Sequence, residues 1–295
     1  MTWLLIAIFA YFLNAVAVTV DKFLIEKKIP NPAVYAFFIS VLSLLAVVIA
    51  PFGFHLYSFN QIIIALLAGI LFAFALLFMF KALSRNEASR ISPFMGGLQP
   101  IFIFILAFFF LGEALAPNAF LAFILIILGT VVISWQKGKM DKTSYLFALI
   151  STLLFAVSYT VNKYAFVNQD FISGFVWTRI GAFLGALLII LPPKNLKAVI
   201  KEFKKPKKGA RPLFLIGQIC GALSFILINY VIAISPSVAV VNALQGLQYV
   251  FLLLIVLFLA KKFPKILEEK FALKVLIQKI IAIALLLIGL ILLFV

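Results

Sequence analysis

The chain runs in long, unbroken apolar stretches separated by short polar punctuation. A helix that crosses a bilayer needs roughly 20 mostly apolar residues. Ten runs meet that measure: 3–20, 33–50, 61–80, 91–111, 118–135, 144–162, 171–191, 211–232, 238–259 and 276–295. Between them fall "KKIPNP", "PFGF", "LPPKN" and "ISPS", where Pro, Gly and Asn punctuate the helical pattern. Barrel strands would alternate apolar and polar positions, and these runs do not, so the pattern predicts an all-α integral membrane protein. One segment differs. "PKILEEKFALKVLIQK", 264–279, mixes charges with spaced Ile266, Leu267, Phe271 and Val275, which suits a helix lying on the membrane surface or a cytoplasmic linker.

Composition agrees. Apolar residues make up 66% of the 295 and charged residues 12%, against roughly 45–50% apolar in a soluble domain. The lone cysteine, Cys220, and the lone histidine, His55, exclude a disulfide framework and a Cys- or His-based metal site. No cofactor is expected. The first residues are apolar from Trp3 with neither a basic region nor a small-residue cleavage site, so they read as the first span rather than a signal peptide.

The chain repeats itself. "NAVAVTVDKF" (14–23) and "FAVSYTVNKY" (155–164) share Ala-Val-x-x-Thr-Val-x-Lys-aromatic at an offset of 141. Pro51 matches Pro192 at the same offset, "GLQPIF" (97–102) matches "GLQYVF" (246–251) at 149, and Gly129 matches Gly289 at 160. The offset grows where the second half carries longer connections, at 192–210 and 261–275. Two five-span units, 1–136 and 141–295, follow. Five is odd, so the second copy enters the membrane from the opposite side. Inverted repeats of this kind place a substrate site at the repeat interface near mid-membrane.

Charge then orients the chain. The connections after spans 1, 3, 5, 7 and 9 hold 23 of the 25 Lys and Arg; only Lys163 lies on the other side, and Arg179 lies within a span. The positive-inside rule puts the odd-numbered connections in the cytoplasm of a cell (inner or plasma) membrane, with both termini outside. The net charge of +16 reports topology and attraction to anionic lipid heads; the clusters are short rims between spans, so no nucleic-acid partner is expected. Asp21-Lys22 and Asn162-Lys163 then sit at opposite mouths of one pathway. They are gate candidates, or pairs that anchor helix ends at the headgroups.

The stretch "KALSRNEASRISPFMGGLQPIFIFILAFFFLGEALAPNAFLAFILIILGTVVIS" (81–134) resembles the EamA-type transporters of the drug/metabolite transporter superfamily. The matching features are Ala88-Ser89 in a short turn after the third span, Ser92-Pro93 opening the fourth, and Phe110-Leu111-Gly112-Glu113 closing it. The resemblance implies ten spans in two inverted repeats around a central cavity, and movement of small metabolites, often amino acids outward. Two departures stand out. The second repeat reads Lys261-Lys262 where the first has Gly-Glu, and the charge distribution puts the termini outside, where many relatives have them in the cytoplasm.

Polar groups inside a bilayer are costly and need a partner, water or ligand. Arg179, eight residues past Phe171, lies about 12 Å into its span. It is the one deep charge, since all nine acidic residues fall at or near span ends. It could fork onto a substrate carboxylate or phosphate, or cap helix carbonyls, or snorkel outward. Trp177 is also deep, but two residues apart is about 200° around a helix, so the two cannot both face a cavity squarely. Gln99 and Gln248 occupy matching repeat positions and suit an amphiphilic ligand or a bond across the repeat axis. Asn242, Gln245, Asn14, Tyr159 and Ser158 complete the candidates, with Asn242 and Gln245 sharing a face at i, i+3.

No span centre holds a carboxylate, which disfavours proton-coupled exchange of organic cations, and no P-loop pattern is present. The expectation is a non-enzymatic secondary transporter of small zwitterionic or anionic metabolites such as amino acids, by alternating access, with the lipid bilayer as its other partner. A lipid or lipid-linked-sugar flippase of the same architecture is the alternative, marked by a lateral cleft. A monomer is compatible with the sequence, which does not fix the oligomeric state.

Overall fold

The computed structural model describes residues 2–24, 31–85, 88–135, 141–203, 211–260 and 273–294. All regular structure among them is helical. In chain order the helices are α1 (Thr2–Leu24), α2 (Pro32–Leu42) continued by a 3-10 segment (Ser43–Phe52), α3 (Phe59–Leu83), α4 (Ala88–Leu111), α5 (Pro117–Ser134), α6 (Lys142–Asn168), α7 (Phe171–Ile190), α8 (Pro193–Phe203), α9 (Arg211–Ile234), α10 (Val238–Ala243), α11 (Gly246–Ala260) and α12 (Leu273–Leu292). Among the described residues seven segments are long and apolar enough to cross a membrane, and three shorter apolar runs lie in α5, α9 and α12. Side chains such as Phe52, Phe109, Phe110 and Phe258 are exposed. An apolar exterior of this extent is stable only against lipid, and the protein is a multi-pass membrane protein.

Local sequence explains the helix ends. Asp141 accepts from the Ser144 N–H at 2.7 Å and Asp170 from the Ser173 N–H at 2.9 Å, opening α6 and α7; each satisfies a donor that the first turn leaves unpaired. α4 ends on Gly112, whose φ of +67° favours glycine. The Glu113 N–H reaches back to the Ala107 carbonyl at 3.2 Å and so satisfies one of the last carbonyls of the helix. The Leu-Gly-Glu at the end of the motif is thus a stop signal that aims Glu113.

Packing is by small residues. α3 lies between α6 and α7; α1 packs on α9 and α11, α4 on α6, and α5 on α12. α3 and α7 meet backbone to backbone at Gly69, Gly181 and Gly185, where a Cβ would collide with the facing helix. Membrane helices associate through such close contacts because lipid offers no hydrophobic drive between them.

Three features depart from the sequence pattern. The second span is helical only to Leu42 and then tightens, ahead of Pro51. The span expected at 238–259 is broken at 244–245 into α10 and α11. The connection 192–210, read as a long loop, begins with the amphipathic α8. Lys194, Lys197 and Lys201 share one of its faces by spacing; Val199 is buried, and Leu196 and Ile200 are exposed. The surface helix expected at 264–279 lies outside the described residues up to 272, and 273–279 instead opens α12.

Candidate functional site

The break in the ninth span creates the polar centre. In an unbroken helix the Val241 carbonyl would accept from the Gln245 N–H. Here the Gln245 N–H turns to the Asn242 carbonyl at 3.1 Å, and the freed Val241 carbonyl accepts from the Tyr11 hydroxyl of α1 at 2.8 Å. Backbone that leaves the helix at membrane depth is tolerated only where it is buried in protein or lines a cavity, and Gln245 does line one.

That cavity has a volume of about 160 Å³ and is lined by Met79, Met95, Gly96, Gln99, Phe155, Tyr159, Gln245 and Tyr249. It draws on α3, α4, α6 and α11 with the 244–245 break, and so on both halves of the chain. Its depth follows from helix register. Met79 lies one turn from the end of α3, and Met95 about 10 Å past the start of α4 at the same end of the molecule, at ~1.5 Å per residue. The cavity therefore extends from near the end that carries Lys81, Arg85 and Lys142 to about the middle of the helices.

The candidate polar residues separate into lining and scaffold. Gln99, Tyr159 and Gln245 line the cavity. Gln99 Nε2 also donates to Asn242 Oδ1 at 3.3 Å, Asn242 Nδ2 donates to the Val238 carbonyl at 2.9 Å, and Asn14 Nδ2 donates to Gln248 Oε1 at 2.9 Å. The Gln99–Asn242 and Asn14–Gln248 bonds each join the first half of the chain to the second. Interhelical bonds of this sort contribute on average only about 0.6 kcal/mol, so they fix register more than stability. Asn242 and Gln245, expected on one face, are parted by the break. Ser158 Oγ donates to the Ala68 carbonyl at 2.8 Å and fastens α6 to α3.

Arg179 is 1% exposed. Its guanidinium carbon lies 5.2 Å from the ring centres of Phe72 and Phe175 and 4.6 Å from that of Phe225. Nε and Nη2 are each 3.4 Å from Thr178 Oγ1, while Nη1 has no hydrogen-bond partner among the described residues. Cation–π attraction is worth about 2 kcal/mol or more when desolvated, which explains how the charge is held without a carboxylate contact among the described residues. Trp177 packs on Phe54 with ring centres 5.8 Å apart and does not line the cavity. As the 200° separation required, the two point apart.

Of the gate candidates, the side chains of Asp21 and Lys22 lie outside the described residues. Asn162 is buried beside Lys163 in sequence, and its Oδ1 has no partner among the described residues. Lys163 Nζ donates to the carbonyls of Ile232, Ala233 and Ser235 at 2.9, 3.2 and 2.6 Å. These lie at and just past the C-terminal end of α9, whose last carbonyls lack helical partners and carry the negative end of its dipole. Close by, Glu113 accepts from the Val238 N–H at 3.0 Å, at the start of α10. Burial pushes the Glu113 carboxyl above the usual carboxylate range, while its bonds to Ser237 and Val238 and the charge of Lys163 pull it back in part. Lys163 and Glu113 thus clasp the connection between α9 and α10. Among the described residues no group of three or more His, Cys, Asp or Glu is placed to hold a metal.

A second cavity is apolar, about 360 Å³, and lined by Ile64, Leu106, Phe110, Leu111, Val157, Thr160, Val161 and Tyr164. It sits on α3, α4 and α6 and shares no lining residue with the first.

A polar cavity beside a broken helix in a membrane bundle is a feature that recurs among transporter folds. The comparisons narrow the class. Residues 1–135 match the sequence model of the EamA-like transporter family, the family whose resemblance the motifs of 81–134 carry. No curated protein matches the chain significantly. A protein known from its crystal structure is 17% identical and superposes with a TM-score of 0.65 over 99% of this chain and 96% of its own; at that identity the likeness carries the fold alone.

Proposed function

We propose that the chain is a secondary transporter that moves small zwitterionic metabolites, of amino-acid size and character, through the cavity between α3, α4, α6 and α11. The observation that carries this reading is the cavity's lining, drawn from both halves of the chain. Gln99 and Gln245 offer amide donors and acceptors, Tyr159 and Tyr249 offer phenols, and Met79, Met95 and Phe155 offer an apolar wall. Such a lining matches a solute with polar and apolar parts. A volume of about 160 Å³ lies below the ~300–1,000 Å³ of drug-sized pockets and favours a compact solute over a nucleotide or lipid headgroup.

Two inverted five-helix units, 1–136 and 141–295, make ten spans in this reading. The contacts support it: α3 on α6 is mirrored by α9 on α1, α4 on α6 by α11 on α1, and α5 packs on its own counterpart, α12. The lysine-rich end faces the cytoplasm of a cell membrane, and the end clasped by Lys163 and Glu113 is the closed outer gate. Alternating access would exchange which end is closed, with Asp21-Lys22 taking the role at the other mouth. The second, apolar cavity on α3, α4 and α6 favours a flippase, the competing reading, but its separation from the polar cavity supports the small-solute path.

Counterflow in proteoliposomes with a panel of labelled amino acids tests this proposal. Exchange of at least one, lost in Gln245→Ala, supports it. A wild type inert to the panel but active in scrambling labelled lipid would replace it with the flippase reading.

A further inference from the structure

Among the described residues the charge of Arg179 has no counterion contact, and one layer of rings parts it from the cavity. Arg179 lies eight residues past the start of α7, Tyr159 nine before the end of α6 and Phe225 nine before the end of α9. All three ends are at the same side, so the three residues share one level, about 12–14 Å deep at ~1.5 Å per residue. The Phe72 ring serves as the bridge. Its centre is 5.2 Å from the guanidinium carbon of Arg179 and 6.5 Å from the ring centre of Tyr159, and Tyr159 lines the cavity. Phe155, also in the lining, lies 5.5 Å from Phe72 and 6.1 Å from Tyr159.

Aromatic rings stabilise a cation through their quadrupole without cancelling its charge. A carboxylate partner would cancel it. Apolar walls of low dielectric then screen the field far less than water does. A fixed positive potential in the cavity follows from the cage.

We propose that Arg179 is a specificity-determining residue: from behind the Phe72–Tyr159 layer it gives the cavity a positive potential that admits carboxylate-bearing solutes, zwitterions included, and rejects organic cations. The inference rests on the transport reading above and names the charge class that site takes. Arg179 need not touch the solute; it acts through space on whatever occupies the cavity.

The test compares valine with its carboxamide, at a pH where the carboxamide amine is protonated, so that the two differ chiefly in the carboxylate. Counterflow of each is measured in wild type, Arg179→Lys, Arg179→Gln and Met95→Glu. Wild type should favour the amino acid by tenfold or more, and Arg179→Lys should keep most of that ratio. Arg179→Gln should bring it toward one by gaining cation exchange. Met95→Glu places a carboxylate in the cavity without touching the cage, so it should also lower the ratio and decides the matter if Arg179→Gln fails to fold. A wild-type ratio near one, or an unchanged ratio in Met95→Glu or a folded Arg179→Gln, overturns the inference while leaving transport intact. A wild type inert to both solutes and to the wider panel removes the transport reading and the inference with it.

Discussion

Gly129 of α5 and Gly289 of α12 make the same contact on each other's helix. A Cβ on Gly129 would come within 2.7 Å of Leu286, and a Cβ on Gly289 within 2.7 Å of Ile126. The carbonyls of Ala282 and Ala122 lie next nearest, at 3.0 and 2.9 Å. One shift of 160 residues relates every member: 129 to 289, 126 to 286 and 122 to 282. A two-fold axis between α5 and α12 would produce this relation. Gly129→Leu and Gly289→Leu should therefore destabilise by similar amounts, about 1–3 kcal/mol each, the usual cost of overpacking. Thermal unfolding in detergent checks it; a loss in one variant only would speak against equivalence.

Lys163 holds three carbonyls that nothing in α9 can pair. In Lys163→Met they stay buried without a donor, at roughly 1–3 kcal/mol for such a group. A lower melting temperature is expected, with faster labelling of a cysteine placed at Ser235. Unchanged labelling would show that the clasp does not hold this end shut.

Glu113 supplies a pH dependence whose sign follows from its burial. Its carboxyl is raised in the fold, so just above the unfolded pKa the native protein keeps a proton that the unfolded chain has lost. The group's contribution is full below the unfolded pKa and is lost as pH rises through the folded one. Melting temperatures of wild type and Glu113→Gln, followed from pH 4.5 to 8, should show wild type losing ground to the variant as pH rises. A constant difference would contradict this.

Orientation is tested with the native thiol removed. On a Cys220→Ser background, Met95→Cys should react with a membrane-impermeant thiol reagent applied from the cytoplasmic side and be protected from the other. The reverse pattern would invert the topology.

The apolar runs made the membrane class and most helix positions legible, because continuous hydrophobicity leaves a segment no environment but lipid. Gln99, Tyr159 and Gln245 were readable as candidates because polar groups at depth are rare. Their division of labour with Asn14, Asn242 and Gln248 was not, because it depends on which helix faces which, and on a break at 244–245 that no Pro announces. The GLQ repeat marked a matched pair, yet Gln99 lines the cavity while Gln248 is bonded to Asn14. Met79, Met95 and Phe155 carry no sequence signal among so many apolar neighbours. The aromatic cage of Arg179 is equally silent: Phe72, Phe175 and Phe225 come from three helices and look like bulk. α8 was missed because its lysines and prolines read as a loop, although Leu196, Val199, Ile200 and Phe203 have helical spacing.

Filling the cavity is the most direct test of its role. Gly96 lies in the lining, and a Cβ there would meet only ordinary contacts, 3.4 Å from Thr130 and 3.5 Å from Tyr249. Gly96→Ala should fold and exchange solute like wild type. Gly96→Phe should fold with a similar melting temperature but lose counterflow tenfold or more, because its ring takes up most of the space. Full exchange by a folded Gly96→Phe would mean that solute does not pass through this cavity.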